Sequence, residues 1–197
     1  MILVLALILL VFFLLPRYQR PVVLENVLTD EECEYLKEKA KERLKPSTVG
    51  GNHQVNANIR QSETAWIPKD DPVVAKIMKR CLKHTDRPVA NCEQLQVLRY
   101  RPGGFYKPHY DAFKGGSNPR MYTFIIALNE EYEGGETSFP RMKKEYRLKK
   151  GDCLLFENLD NYELITGKAW HGGKPVKSGE KWVCNLWVHK YPYEGMQ

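Results

Sequence analysis

The chain of 197 residues is poor in cysteine and has no internal repeat and no low-complexity tract. Its five cysteines, at positions 33, 81, 92, 153 and 184, are scattered and include no CxxC pair. That argues against a disulfide framework and against structural zinc. The odd number leaves at least one thiol unpaired within the chain. The simplest expectation is reduced residues in or near the core, with a disulfide or two left open if the compartment is oxidising. Acidic residues are the minority: Lys and Arg total 30 against 24 Asp and Glu, for a formal net charge of +6. Such a balance favours anionic partners without demanding them, and no nucleic-acid-binding motif accompanies it. The tightest basic run, Lys143, Lys144, Arg147, Lys149 and Lys150, is broken by Glu145 and Tyr146 and reads as a solvated face. Hydrophobic residues at 43% and charged residues at 27% exclude a disordered or collagen-like chain. The length suits one domain, which buries roughly 70% of the surface its unfolded chain exposes.

Residues 2–15 (ILVLALILLVFFLL) are uninterrupted aliphatics and phenylalanine, closed by Pro16 and followed by Arg17 and Arg20. A membrane span usually needs about 20 apolar residues and a signal-peptide core about 7–15, so this run falls between the two. No basic residue precedes it and no small-x-small cleavage site follows. The reading is a hydrophobic anchor or uncleaved signal over 1–20, with a cleaved signal as the alternative. Arg17 and Arg20 would hold the following chain on the cytoplasmic side, although two charges are a weak vote.

Two helices are expected next. Thr29 and Glu32 fit a capping box, after which Cys33, Leu36, Ala40 and Leu44 recur at helical spacing until Pro46. A second helix follows Asp70 and Asp71, with Pro72 in its first turn and an apolar stripe of Val74, Ile77, Met78, Cys81 and Leu82. Residues 46–58 have loop composition. From Glu93 onward the texture changes to strands: 95–100, 121–129, 152–158 and 181–189 are short, rich in β-branched and aromatic residues, and bounded by Gly, Pro or Asn. The expected class is α+β, mainly β. A helical support region over 21–92 would pack on an antiparallel β core over 93–197.

Chemistry concentrates in two places. In His109-Tyr110-Asp111 an extended backbone presents the imidazole and the carboxylate on one face and turns Tyr110 away. Alone this pattern is common. A second cluster, Trp170-His171-Gly172-Gly173-Lys174-Pro175-Val176, offers a third ligand. Two histidines and one carboxylate on one face of a metal leave three coordination positions open, the arrangement diagnostic of non-haem Fe(II) oxygenases. Taken singly, His171 could equally be a hydrogen-bonded turn histidine. Ten residues on, period two places Lys181, Val183, Asn185, Trp187 and His189 on one face of a strand. An inward lysine is costly unless paired. A dicarboxylate cosubstrate would pair it, while an exposed edge lysine would need no partner.

The segments RYRPGGFYKPHYD (99–111), RMYTFIIALN (120–129), GGETSFP (134–140), KKGDCLLFEN (149–158) and WHGGKPVKSGEKWVCNLWVH (170–189) occur in that order. Together they resemble the catalytic domain of prolyl 4-hydroxylases, the Fe(II)- and 2-oxoglutarate-dependent dioxygenases of peptidyl proline. The likeness extends upstream through IRQSETAW (59–66) and EQLQVLRY (93–100), and reaches from about residue 21 to 190. It matches the short single-domain type of algae, plants and large viruses. The resemblance implies a double-stranded β-helix, or jelly roll. It implies Fe(II) held by His109, Asp111 and His171, and 2-oxoglutarate bound by Lys181 in a pocket lined by Tyr100, Thr123 and Trp187. It places Tyr106, Arg120 and His189 near the peptide.

O2 as co-reactant and L-ascorbate as rescuer of oxidised iron follow from the same likeness, as does a proline-rich or collagen-like peptide substrate. Nucleic acid is not an expected partner, and the oligomeric state is left open. Membrane-anchored members of the family keep the catalytic domain in the lumen of the secretory pathway. This implies an endoplasmic-reticulum location with membrane contact through 2–15, against the charge vote of Arg17 and Arg20. Gly104 stands where the family often has Gln, so that turn is expected to be looser. Two alternatives remain. One is a 2-oxoglutarate oxygenase of another protein or of nucleic acid, disfavoured because nucleic-acid demethylases of the superfamily usually use arginine where this chain has Lys181. The other is a non-catalytic membrane-tethered peptide-binding module, disfavoured by the intact ligand pattern.

Overall fold

The computed structural model describes residues 15–50, 54–113 and 115–195. The run 2–14, which carries nearly all of the expected anchor, lies outside these residues. Among those described, no helix is long and apolar enough to cross a membrane.

Helix α1 (Asp30–Lys41) begins at the capping box read from the sequence. The Thr29 hydroxyl accepts from the Glu32 amide, and the Glu32 carboxylate accepts from the Thr29 amide. Helix α2 (Pro72–Cys81) is capped by Asp71, whose carboxylate accepts from the amides of Val73 and Val74. Arg80 on α2 makes a bidentate pair with Glu32 on α1, at 2.7 and 2.9 Å, and ties the two helices together. α1 ends short of Leu44. The chain turns there so that Lys45–Pro46 (β2) can pair with the edge of the sheet, while Leu44 still packs against the helical side of the core.

That sheet has seven strands among the described residues. It runs from β1 (Val22–Leu24) through β10 (Cys153–Glu157), β6 (Arg120–Ala127), β13 (Lys181–His189), β4 (Leu95–Tyr100) and β3 (Glu63–Ile67) to β2. Three of its strands come from the 21–92 segment, expected as a helical support, because Val22–Leu24, Lys45–Pro46 and Glu63–Ile67 each find an edge to pair with. A second sheet orders β5 (Tyr106–His109), β11 (His171–Gly173), β8 (Thr137–Phe139) and β9 (Lys144–Tyr146). A two-stranded pair, β12 (Val176–Gly179) with β7 (Tyr132–Gly134), completes the architecture. Every strand pairing is antiparallel, and the result is a jelly roll, mainly β.

The large sheet has a different partner on each face, and β13 shows why. Trp182, Cys184, Leu186 and Val188 pack with Leu36, Ile77 and Met78 of the helices. Val183, on the opposite face, joins Leu98, Ile125, Leu154, Phe156 and Phe139 between the two sheets. All five cysteines are free and buried. The turn at Gly104 is tight rather than loose: a Cβ there would stand 2.8 Å from the Arg101 carbonyl oxygen and 2.9 Å from that of Gln61. Glycine is what lets the 59–62 segment close against the turn.

Candidate active site

β5 and β11 lie antiparallel with His109 directly opposite His171. The strands approach closely, since a Cβ on Gly172 would meet Tyr106 O and Pro108 N at 2.8 Å. The two imidazoles are 4.5 Å apart between ring centroids. Asp111 follows two residues after His109, and its Oδ1 is 3.4 Å from His109 Nε2 while its Oδ2 is 3.7 Å from His171 Nε2. One ligand atom from each of the three residues falls within 4.8 Å of the others.

The surrounding groups prepare these atoms for a cation. His109 Nδ1 donates to the Lys107 carbonyl and His171 Nδ1 to the Ala169 carbonyl, each at 3.0 Å. Those bonds put a proton on each Nδ1 and turn each Nε2 toward Asp111, the second-sphere pattern that orients metal-binding imidazoles. Burial pushes the His171 pKa down to about 4, with Asp111 partly opposing it, so the ring is neutral at pH 7. Burial would raise the Asp111 carboxyl, but His171, His109 and Arg120 outweigh it and hold the group well below the usual carboxylate range. Two imidazole nitrogens and one carboxylate oxygen are a donor set suited to Fe(II), with positions to spare for other ligands.

The triad lies in the wall of a cleft of about 950 Å³. Lys181 also lines this cleft. Lys181 is 7% exposed, and its ammonium donates to the Gly135 carbonyl at 2.6 Å and lies 5.6 Å from the centre of the Tyr100 ring. Tyr100 is its register partner across β4 and β13. Burial pulls the Lys181 pKa down to about 8, although nearby Glu136 works to raise it. No carboxylate among the described residues pairs with it, so a buried cation faces the cleft with room for an anion. Two further polar atoms of cleft-lining residues, Trp187 Nε1 and Asn185 Oδ1, are buried without a hydrogen-bond partner among the described residues.

The remaining sequence-read residues divide. Tyr100, Tyr106, Arg120 and Trp187 line the cleft. Tyr106 stacks on His109 at 3.7 Å. Thr123, expected in the cosubstrate pocket, is fully buried and its hydroxyl is committed elsewhere: it donates to Asp111 Oδ2 at 2.7 Å and accepts from Asn158 Nδ2 at 2.8 Å. Arg120 and His189 converge on Glu93. The Arg120 guanidinium is 2.5 and 3.0 Å from the two carboxylate oxygens, and His189 Nε2 is 2.7 Å from one of them. Burial would raise the Glu93 carboxyl, but the His189 hydrogen bond and the Arg120 charge hold it below its ordinary value. The Arg120 guanidinium also covers the Trp187 ring at 3.8 Å.

Sequence reasoning missed Glu93, Asn158 and Arg60, which lies 4.5 Å over the Tyr106 ring. Glu93 could have been flagged as a charge two residues ahead of a strand buried along most of its length. Nothing in the sequence marks Asn158.

A jelly roll carrying two histidines and an aspartate, with a buried lysine in the same cleft, has the make-up of a 2-oxoglutarate-type Fe(II) oxygenase. The model of the 2OG-Fe(II) oxygenase superfamily matches residues 95–189. A putative prolyl 4-hydroxylase of Acanthamoeba polyphaga mimivirus is 34% identical over 184 residues, covering 88% of this chain and 75% of the relative. Prolyl 4-hydroxylase 1 of Arabidopsis thaliana is 35% identical over 197 residues, covering 87% and 69%. The crystal structure of a viral collagen prolyl hydroxylase from Paramecium bursaria Chlorella virus-1, in complex with 2OG, superposes with a TM-score of 0.72 at 30% identity, covering 88% of this chain and 97% of that one. The chain belongs to the prolyl 4-hydroxylase family.

Proposed function

We propose that the protein hydroxylates peptidyl proline at C4, converting proline, O2 and 2-oxoglutarate to 4-hydroxyproline, succinate and CO2. The observation that carries this reading is the pairing, in one cleft, of the His109–Asp111–His171 cluster with a buried Lys181 that has no carboxylate partner among the described residues. In this reading His109, Asp111 and His171 hold Fe(II), and Lys181 holds the distal carboxylate of 2-oxoglutarate. The metal with its cosubstrate and O2 supplies the oxidising power that no side chain has. The protein's own part is orientation. Thr123 and Asn158 fix the Asp111 carboxylate, the Lys107 and Ala169 carbonyls fix both imidazoles, and Tyr106 with Arg60 forms the wall against which a peptide is held. Misplacing the reacting C–H bond by about 1 Å could cost on the order of a hundredfold in rate.

The test is incubation of the purified protein with Fe(II), 2-oxoglutarate, ascorbate and proline-rich or Gly-X-Pro peptides. Mass spectrometry should show one added oxygen on proline with matching succinate release. His171→Ala should abolish both, and near-normal hydroxylation by that variant would refute the ligand assignment. Succinate release driven by an oligonucleotide and not by any peptide would move the protein to a different substrate class.

The apolar run 2–15 supports a further part of the proposal, a membrane tether; the catalytic domain's location in the lumen of the endoplasmic reticulum rests on the family likeness alone, against the charge vote of Arg17 and Arg20. Protection of the domain from protease in sealed microsomes is the expected result, and digestion without detergent would reverse the orientation.

A further inference from the structure

The ladder between β5 and β11 stops at the His109–His171 pair, yet Asp111 lies beyond it. Something other than backbone pairing must set the separation of Asp111 from His171. The next two residues across the strands are Tyr110 and Trp170, which lie outside both strands. Their rings meet edge to face, with centroids 4.6 Å apart and planes at 60°. Tyr110 lies between the two ligands His109 and Asp111 and also lines the cleft, and Trp170 immediately precedes the third ligand, so the aromatic pair bridges the two ligand-bearing segments.

A third group locks the pair. Arg141, from the short turn Pro140–Met142, donates to the Tyr110 hydroxyl at 3.0 Å. Its guanidinium lies 6.0 Å from the Tyr110 ring centre and 5.6 Å from that of Trp170. Room for it is made by Gly167, where a Cβ would stand 2.5 Å from Arg141 Nη1. Gly167 begins the turn Gly167–Ala169, whose last residue supplies the carbonyl that orients His171. One guanidinium therefore contacts both ligand-bearing segments and the turn that supports the second.

We propose that Tyr110, Trp170 and Arg141 form a clamp that positions Asp111 against His171 by tying the two ligand-bearing segments together. All three are positioning residues. The proposal rests on the metal-centre reading above, and it concerns affinity and geometry at the ligands rather than the identity of the peptide.

The test is titration of the metal-stripped full-length protein with Co(II), followed by its visible absorption bands, alongside thermal melting of the metal-free forms. Trp170→Ala and Tyr110→Ala should each weaken Co(II) binding about tenfold, the lower end of losses seen when groups supporting metal ligands are removed. The double variant should lose little more than either single one, because the two rings act as one unit. Trp170→Phe, which keeps a ring, should recover most of the affinity. Arg141→Gln, at an exposed position, should weaken binding in the same direction and covers the case of an alanine variant that fails to fold. Unchanged Co(II) affinity and spectrum in variants that merely melt earlier would overturn the clamp, and so would single-variant losses that multiply. A wild-type protein that binds no Co(II) would overturn the metal centre itself, so the two failures are distinguishable.

Discussion

Replacing Lys181 with methionine should make the protein more stable and unable to use its cosubstrate. Lys181 is 7% exposed, and burial is the main reason its pKa falls from 10.5 to about 8. At about 1.4 kcal/mol per factor of ten, holding it charged at pH 7 without an anionic ligand costs about 3 kcal/mol. Methionine keeps an unbranched chain of similar length and removes the charge. The Gly135 carbonyl loses its donor, a cost of about 1 kcal/mol. The net gain is about 2 kcal/mol, or roughly 6 °C in Tm for a chain of this size.

The sign reverses with ligand and fades with pH. Folded Lys181 releases its proton near pH 8, whereas an unfolded lysine keeps its own to about 10.5. The native state therefore binds fewer protons in that window, and wild-type stability rises through it relative to the variant. With Mn(II) and saturating 2-oxoglutarate only the wild type should gain stability, by mass action on the native state. Differential scanning calorimetry of Lys181→Met across pH, with and without cosubstrate, checks all three statements. A variant that melts below the wild type without ligand, or that 2-oxoglutarate stabilises equally, would refute the view of Lys181 as a strained, anion-seeking cation.

Glu93→Ala strands Arg120 and His189 without their shared carboxylate and should cost about 3 kcal/mol. An unchanged urea midpoint would remove that cluster from the stability of the fold. The Glu93 carboxyl is held below its ordinary value, so its contribution is intact at neutral pH and disappears as pH falls through the acid range. All five thiols are buried and unpaired, so a chromogenic disulfide reagent should find none reactive in the native protein and five in denaturant. Rapid reaction of the native protein would contradict the packing around α1 and α2.

What the sequence discloses tracks how much of each element's environment is written into its own residues. β4 and β13 are legible to the residue because each is rich in β-branched, aromatic and leucine residues whose alternate positions face different cores. β5 and β11 are not. One carries Pro108 and lies at the edge of its sheet, while the other is His-Gly-Gly, so propensity speaks against both. They form because Gly172 lets the two backbones approach closely, and that partner strand lies more than 60 residues away in the chain, so the reason is not local. The same holds for the site. His109 and Asp111 announce themselves by spacing, but Thr123 and Asn158 reach Asp111 from positions 12 and 47 residues away through one shared hydroxyl, and Glu93 meets His189 across 96 residues. A hydroxyl inside an apolar strand looks like a β-branched core residue until the carboxylate it serves is placed beside it. The groups that hold the ligands are therefore harder to read than the ligands, because their chemistry exists only in the folded arrangement.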